Sequence, residues 1–338
     1  MVEDGGHTGE NGIGEFDIIA RHFAPLATDV SALSLRDDAA VLRPPEGQEI
    51  VLTCDTIVEG VHFLKDDPAG SIGHKALAVN LSDLAAKGAR PYVYLLALAL
   101  PAKPDPAWLE AFASGLGALQ SRVGASLVGG DTTRTPGLLS ITISALGLVP
   151  HGHAVLRLGA KSGNRLYVTG TIGDAHLGLR LLKDPKLASR WGLTKEDVAF
   201  LAGRYLEPQP RTTLALALRN FAAAAIDVSD GLVGDVDKLS SVSHGGAVIE
   251  AASVPLSPAA AKAVTRDPEL LEALLTGGDD YEIVAAVPEG NTSGFEAEAK
   301  SKGVTVTRIG RIEGTTGTRL LGEGGRDMKL GPKGFTHF

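Results

Sequence analysis

Apolar positions along the chain switch between a period near 3.6 and a period of two, and the switches mark alternating helices and strands. Phe16, Ile19, Phe23 and Leu26, with Asp17, Arg21 and His22 between them, predict an amphipathic first helix. Ala39–Leu42 and Glu49–Cys54 read as short strands around the turn Pro44-Pro45-Glu46-Gly47. Ser71 is expected to cap a helix through Lys87, closed by Gly88 with Pro91 beyond. Tyr92–Leu100 reads as a buried strand, Pro106–Val123 as a helix, and Ser126–Val128 and Leu138–Val149 as strands.

After a pause at Pro150-His151-Gly152 the alternation resumes. Leu166–Thr169 predicts a strand, the loop Gly170–Gly173 follows, and a helix opens at Asp174. Thr194 with Asp197 forms a capping-box pattern for a helix to Leu206, ended by Glu207-Pro208-Gln209-Pro210. Helices over Thr212–Ala223 and Gly231–Ser243 and strands over Ala224–Val228, Ala247–Glu250, Tyr281–Val287 and Val304–Ile309 complete the reading. The expected class is α+β (mixed α/β) in two domains, 15–150 and 151–338, after a polar, Gly-rich flexible arm over 1–14.

Length agrees: 338 residues at ~150 per domain give two. The single Cys excludes a disulfide framework and a zinc site of several thiolates. Lys and Arg less Asp and Glu is 32 − 40 = −8, so no global basic field attracts nucleic acid or an anionic membrane. The first residues lack a signal peptide's basic and apolar regions, and no apolar run reaches the ~18 residues that span a bilayer, so a cytoplasmic protein is expected. There is no G-x-x-x-x-G-K-[ST], no G-x-G-x-x-G after a strand, no H-E-x-x-H and no nucleophile elbow.

What recurs is Asp at the end of an apolar run, beside small residues: Asp37-Asp38, Asp55, Asp131, Asp227 with Asp230, and Asp279-Asp280. Any one of these reads as a turn or helix-cap residue; five repetitions point further. Asp83 stands inside the otherwise nearly apolar helix 75–84, on one face with Asn80 and Lys87. That face is either a solvated stripe or a carboxylate aimed inward. Converging carboxylates need hard cations, and Mg²⁺ held by carboxylates usually also touches substrate phosphates. The residues alone therefore reach Mg-dependent phosphate chemistry, with Gly129-Gly130 and Gly170–Gly173 open to close phosphate approach, and no substrate.

Seven blocks then resemble the thiamine-monophosphate kinase family: Gly14-Glu15-Phe16, Asp37–Ala40, Asp55-Thr56 with His62-Phe63, Lys75–Gly88, Gly129–Arg134, Asp227–Leu232 and Gly277–Glu282, in the family's order over nearly the whole chain. The resemblance implies the two-domain fold of the aminoimidazole-ribonucleotide-synthetase superfamily, with N-terminal domains pairing into a homodimeric barrel. It implies phosphorylation of thiamine monophosphate to thiamine diphosphate, with ATP as co-substrate and several Mg²⁺ ions. Position by position it implies Mg²⁺ ligands at Asp38, Thr53, Cys54, Asp55, Asp83, Asp131, Asp227 and Asp230, with Asp55, Asp83 and Asp131 catalytic. ATP contacts fall at Gly130, Asp131, Arg157 and Ser229, and acceptor contacts at His62, Asp279 and Phe335.

Three positions depart from the family pattern. Cys54 stands where Thr is frequent, so a ligand there is its backbone carbonyl; Asp279 stands where Glu is usual; Phe335 replaces a larger aromatic. Selenophosphate synthetase would bring a reactive Cys or selenocysteine near the N-terminus, and the hydrogenase-maturation member a terminal Cys; this chain shows neither. Aminoimidazole-ribonucleotide synthetase and a non-catalytic Mg-ATP-binding protein are the remaining alternatives, the latter separated by turnover.

Overall fold

Residues 15–328, 331 and 333–335 are described in the computed structural model; the expected arm over 1–14 lies outside them. The first half runs α1 (Glu15–Ile18), β1 (Gln48–Val58), α2 (Ala69–Ala86), β2 (Arg90–Leu100), α3 (Pro106–Val123), β3 (Ser126–Arg134) and β4 (Ser140–Pro150). These strands form a sheet in the order β1-β4-β2-β3, antiparallel except for the parallel pair β2/β3.

The second half runs β5 (Arg165–Thr169), α4 (Asp174–Lys183), α5 (Leu187–Arg190), α6 (Lys195–Leu206), α7 (Ala215–Phe221), β6 (Ala224–Val228), α8 (Leu232–Val242) and β7 (Gly246–Glu250). It continues with α9 (Pro258–Arg266), α10 (Leu270–Thr276), β8 (Glu282–Val287), α11 (Thr292–Ser301), β9 (Val306–Glu313) and β10 (Gly317–Leu321). Its sheet has the order β10-β7-β9-β5-β8-β6. The class is mixed α/β, as expected. Among the described residues no helix is long and apolar enough to cross a membrane.

Helix α2 ties the halves together. Ile72, Ala76, Leu77, Val79, Leu81 and Leu84 belong to the core beneath the first sheet, whereas Ala85 and Ala86 pack with Leu214, Ala217 and Leu218 under the second. Almost every side of this helix is covered, so that even its Ser71, His74, Lys75, Asn80 and Ser82 are buried. Strand β1 alternates against it: Val51, Thr53, Asp55 and Ile57 face α2, while Ile50, Leu52, Cys54 and Thr56 face the sheet's open side.

Several local expectations are corrected. Ala39–Leu42 is not a strand: Ala40 and Leu42 pack beside Ala32, Val93 and Val128, and the segment pairs with no strand among the described residues. Ser71 does not cap α2, because the chain turns helical directly after Pro68; its hydroxyl donates to Glu207, 3.2 Å away. Phe23 and Leu26 are buried as expected, but Phe16 is exposed and Ile18 and His22 are buried in its place, since α1 runs into a wider π turn over Ile19–Phe23 that rotates the apolar face. β3 extends through Asp131 to Arg134, so that aspartate stands inside a strand, not at its exit. Helices α9, α10 and α11 and strand β10 were not anticipated.

Helices α2 and α3 approach so closely that a Cβ on Gly115 would lie 1.9 Å from the Gly70 carbonyl oxygen. Gly115→Ala must therefore separate the helices, and should cost about 1–3 kcal/mol in urea unfolding at unchanged slope.

Candidate active site

Two side chains one helical turn apart on α2 fix the start of the site. Asn80 Oδ1 accepts the Asp55 N–H at 3.0 Å, while its amide donates to the Ala76 carbonyl at 3.1 Å. The Thr53 hydroxyl donates to Asp83 Oδ2. Because residues 53 and 55 share a face of β1 and residues 80 and 83 share a face of α2, strand and helix bond twice and both carboxylates are set toward one space.

The exit of β6 meets them there. Asp227 is buried at the end of the strand, and Ser229 and Asp230 follow in a turn clamped by Asp235. One Asp235 oxygen accepts the N–H groups of Ser229, Asp230 and Gly231 at 3.1, 3.0 and 3.2 Å. Lys238 Nζ lies 2.5 Å from Asp230 and 2.8 Å from Asp235.

These elements enclose a cavity of about 750 Å³ lined by two chemically different sets of residues. One is acidic, made of Asp55, Asp83, Asp227 and Asp230, together with Arg157 and Ser229. Burial, then the Asp83 and Asp230 charges, push the Asp55 carboxyl up to about 6. Asp227 is raised by the same causes, burial first and then Asp83 and Asp235. The other is made of His62, Asp279 and Phe335 with His176 and Leu179 of α4 and Ala273 and Thr276 of α10.

Backbone geometry delivers Asp279 to the cavity. Asp279 and Tyr281 occupy the left-handed region, with φ of 76° and 49°, and their N–H groups bond the Ser229 and Val228 carbonyls, both at 2.8 Å. Gly278 lets the two loops touch: a Cβ there would lie 2.4 Å from the Ser229 carbonyl oxygen. Behind this loop Glu282, fully buried, is held by Arg204 at 2.7 Å and by Arg211, and the Gly173 N–H bonds Asp280 at 2.8 Å. Phe335 is carried in by a short tail whose own N–H bonds the Asp230 carbonyl at 2.9 Å.

Of the positions named from sequence, Asp55, His62, Asp83, Arg157, Asp227, Ser229, Asp230, Asp279 and Phe335 all line this cavity. Thr53 stands one bond behind, on Asp83. Gly130, Asp131, Cys54 and Asp38 do not line it. The register Thr56–Thr142–Ala97–Asp131 puts Asp131 on the open face of the first sheet, opposite to Asp55. Cys54 is on that face too, accepting from Ser144 at 3.2 Å, and Asp38 is exposed in the segment before β1. Sequence reasoning missed His176, Leu179, Ala273 and Thr276, and Asn80 as the group that holds Asp55. A helical repeat over Leu270–Leu275 was the available signal for α10; nothing marked its cavity-facing positions.

Two family models match the chain: AIR synthase related protein, N-terminal domain, over residues 36–149, and AIR synthase related protein, C-terminal domain, over 161–322. The thiamine-monophosphate kinase of Caulobacter vibrioides is 42% identical over 96% of this chain and 90% of its own length. This chain belongs to the thiamine-monophosphate kinase family. The crystal structure of the family member from Stenotrophomonas maltophilia superposes with a TM-score of 0.78 at 40% identity, over 87% of this chain and 91% of that one. A structure of AaThiL, complexed with AMPPCP and TMP, superposes with a TM-score of 0.76 at 28% identity, over 96% and 97% of the two chains.

The raised carboxylates fix how stability depends on pH. In the window from about 4 to 6 the folded, metal-free protein binds more protons at Asp55 than the unfolded chain does, so stability is lost as pH rises through it. Thermal unfolding with chelator present should fall across that window, and Asp55→Asn should flatten the fall by on the order of 2 kcal/mol. An identical pH profile for the variant would refute the assignment.

Proposed function

We propose that this protein transfers the γ-phosphoryl group of ATP to thiamine monophosphate, giving thiamine diphosphate and ADP. The two sets of cavity residues carry the reading: one suits phosphates that arrive with cations, the other a flat cationic acceptor. Arg157 and Ser229 are placed to hold ATP phosphates. Asp279 offers negative charge to the acceptor's thiazolium, and Phe335 an aromatic face. His62 bounds the acceptor from the β1–α2 loop. Transfer is direct and in line between the bound phosphates, because the acceptor is already an anion and needs positioning more than a base.

The acidic set suits magnesium. Asp55, Asp83, Asp227 and Asp230 are hard oxygen donors whose mutual repulsion calls for a cation. Among the described residues no three His, Cys, Asp or Glu side chains are assembled into a ready cage. In this reading the ion takes one or two carboxylates and completes its shell with phosphate and water. Bound there, Mg²⁺ would neutralise phosphate charge, with Thr53 orienting Asp83 and Cys54 contributing at most its carbonyl.

A second copy completes the site in this proposal. Ile50, Leu52 and Leu95 are exposed on the open face of the first sheet, which a homodimer would cover. Asp131 shares that face, and we assign it, with Gly130 and Asp38, to function across the paired protomers.

Incubation with ATP, Mg²⁺ and thiamine monophosphate should yield thiamine diphosphate and ADP by mass spectrometry, with activity lost to chelator and restored by Mg²⁺. Nucleotide binding without product would leave only a binding protein. Asp83→Asn should remove most of kcat with the fold intact; near wild-type turnover would sink its metal role. Mixing refolded Asp83→Asn with Asp131→Asn should recover about a quarter of wild-type activity if Asp131 acts across a dimer, since random pairing restores one site in half the dimers. No recovery would place it in its own chain's site or none.

A further inference from the structure

Lys75 sits on α2 two turns before Asp83, only 2% exposed, and does not line the cavity. Its ammonium nevertheless lies beside residues assigned to the acceptor. Nζ lies 2.9 Å from the His62 carbonyl oxygen, 3.6 Å from Asp279 Oδ2 and 3.7 Å from the centre of the Tyr205 ring. The carbonyl accepts a hydrogen bond, the carboxylate forms an ion pair and the ring lies against the charge, while Asp67 adds a second negative charge nearby. They come from three separate segments: the loop after β1, the loop before β8, and α6. Tyr205 adds a second tie, its hydroxyl donating to the same His62 carbonyl at 3.3 Å.

We propose that Lys75 is a positioning residue of the acceptor site, whose buried charge locks the His62 loop and the Asp279 carboxylate into one geometry. The role rests on the reading above, in which His62 and Asp279 meet thiamine monophosphate. A buried ammonium is stable only where its counter-charges stay in place, because no water can replace them. Displacement of Asp279 would take away the carboxylate paired with Lys75 and leave it only the His62 carbonyl and the Asp67 charge, so the loop resists displacement. Asp279 reaches this point on a left-handed backbone that Ser229 holds from the other side. Lys75 faces Oδ2 of a carboxylate that itself lines the cavity. A plain packing role makes the opposite demand: a Met of similar length would fill the same space and leave the acceptor untouched.

The full-length Lys75→Met variant separates these. Steady-state kinetics should show the KM for thiamine monophosphate raised about tenfold or more, with the KM for ATP within about twofold and kcat changed less than the acceptor KM. Acceptor binding by calorimetry should weaken by the same factor. In an Asp279→Asn background, Lys75→Met should add less than about twofold, because the partner through which it acts has already lost its charge. If Lys75→Met does not fold, Tyr205→Leu keeps the ammonium and removes the ring beneath it, and should raise the acceptor KM about two- to tenfold. An unchanged acceptor KM, an equal effect on ATP, or fully multiplicative effects with Asp279→Asn would overturn the role. Wild-type protein that turns over while Lys75→Met keeps its acceptor KM refutes Lys75 alone; wild-type protein that makes no product refutes the functional reading, and this role with it.

Discussion

Repulsion among four carboxylates is the constraint around which this molecule is arranged. Asp55, Asp83, Asp227 and Asp230 come from β1, α2 and the exit of β6, and all border one cavity. Burial and the Asp83 charge together disfavour the ionised form of both Asp55 and Asp227, whereas Asp230 has Lys238 as its counter-ion. The chain holds these groups in place with bonds made to backbone and side chains around the carboxylates: Asn80 on the Asp55 amide, Thr53 on Asp83, and the triple Asp235 clamp beneath Ser229–Gly231. Strain near the site follows the same logic. The left-handed Asp279 and Tyr281 persist because paired N–H groups and the buried Arg204–Glu282–Arg211 group hold their loop.

A site of this kind keeps its unfavourable terms in the protein until substrate arrives. In the proposed reaction, charge that is unfavourable in the cavity would be relieved by a phosphate substrate that arrives with a cation. Preorganisation here is thus electrostatic as well as geometric. The wall from α4 and α10 differs in chemistry: His176, Leu179, Ala273 and Thr276 bring no carboxylate to the cavity.

How much of this was legible beforehand varies with how local the physics is. Pro106–Val123 was readable to the residue, because Asp105 caps it and Gly124 ends it in the left-handed region. The Thr194–Asp197 capping box was equally plain. The carboxylates could be recognised by recurrence, and Asp83 by its apolar surroundings. Ala39–Leu42 misled because its short apolar run reflects packing at the sheet's margin and not pairing. Where Asp131 stands was not legible for a topological reason: only the register of four strands reveals that it faces away from Asp55. Asn80 looked like part of a solvated stripe, since nothing in one helix shows that a neighbouring strand offers it an amide.

The placement of α2 has a consequence for descent as well as for stability. Its first four turns complete one core and its last residues, Ala85 and Ala86, complete another. Recombination that exchanged either half for a distant relative's would bring a foreign sheet against a helix fitted to the old one. The two halves are therefore bound to diverge in step, and an inherited change beneath one sheet selects its partner beneath the other.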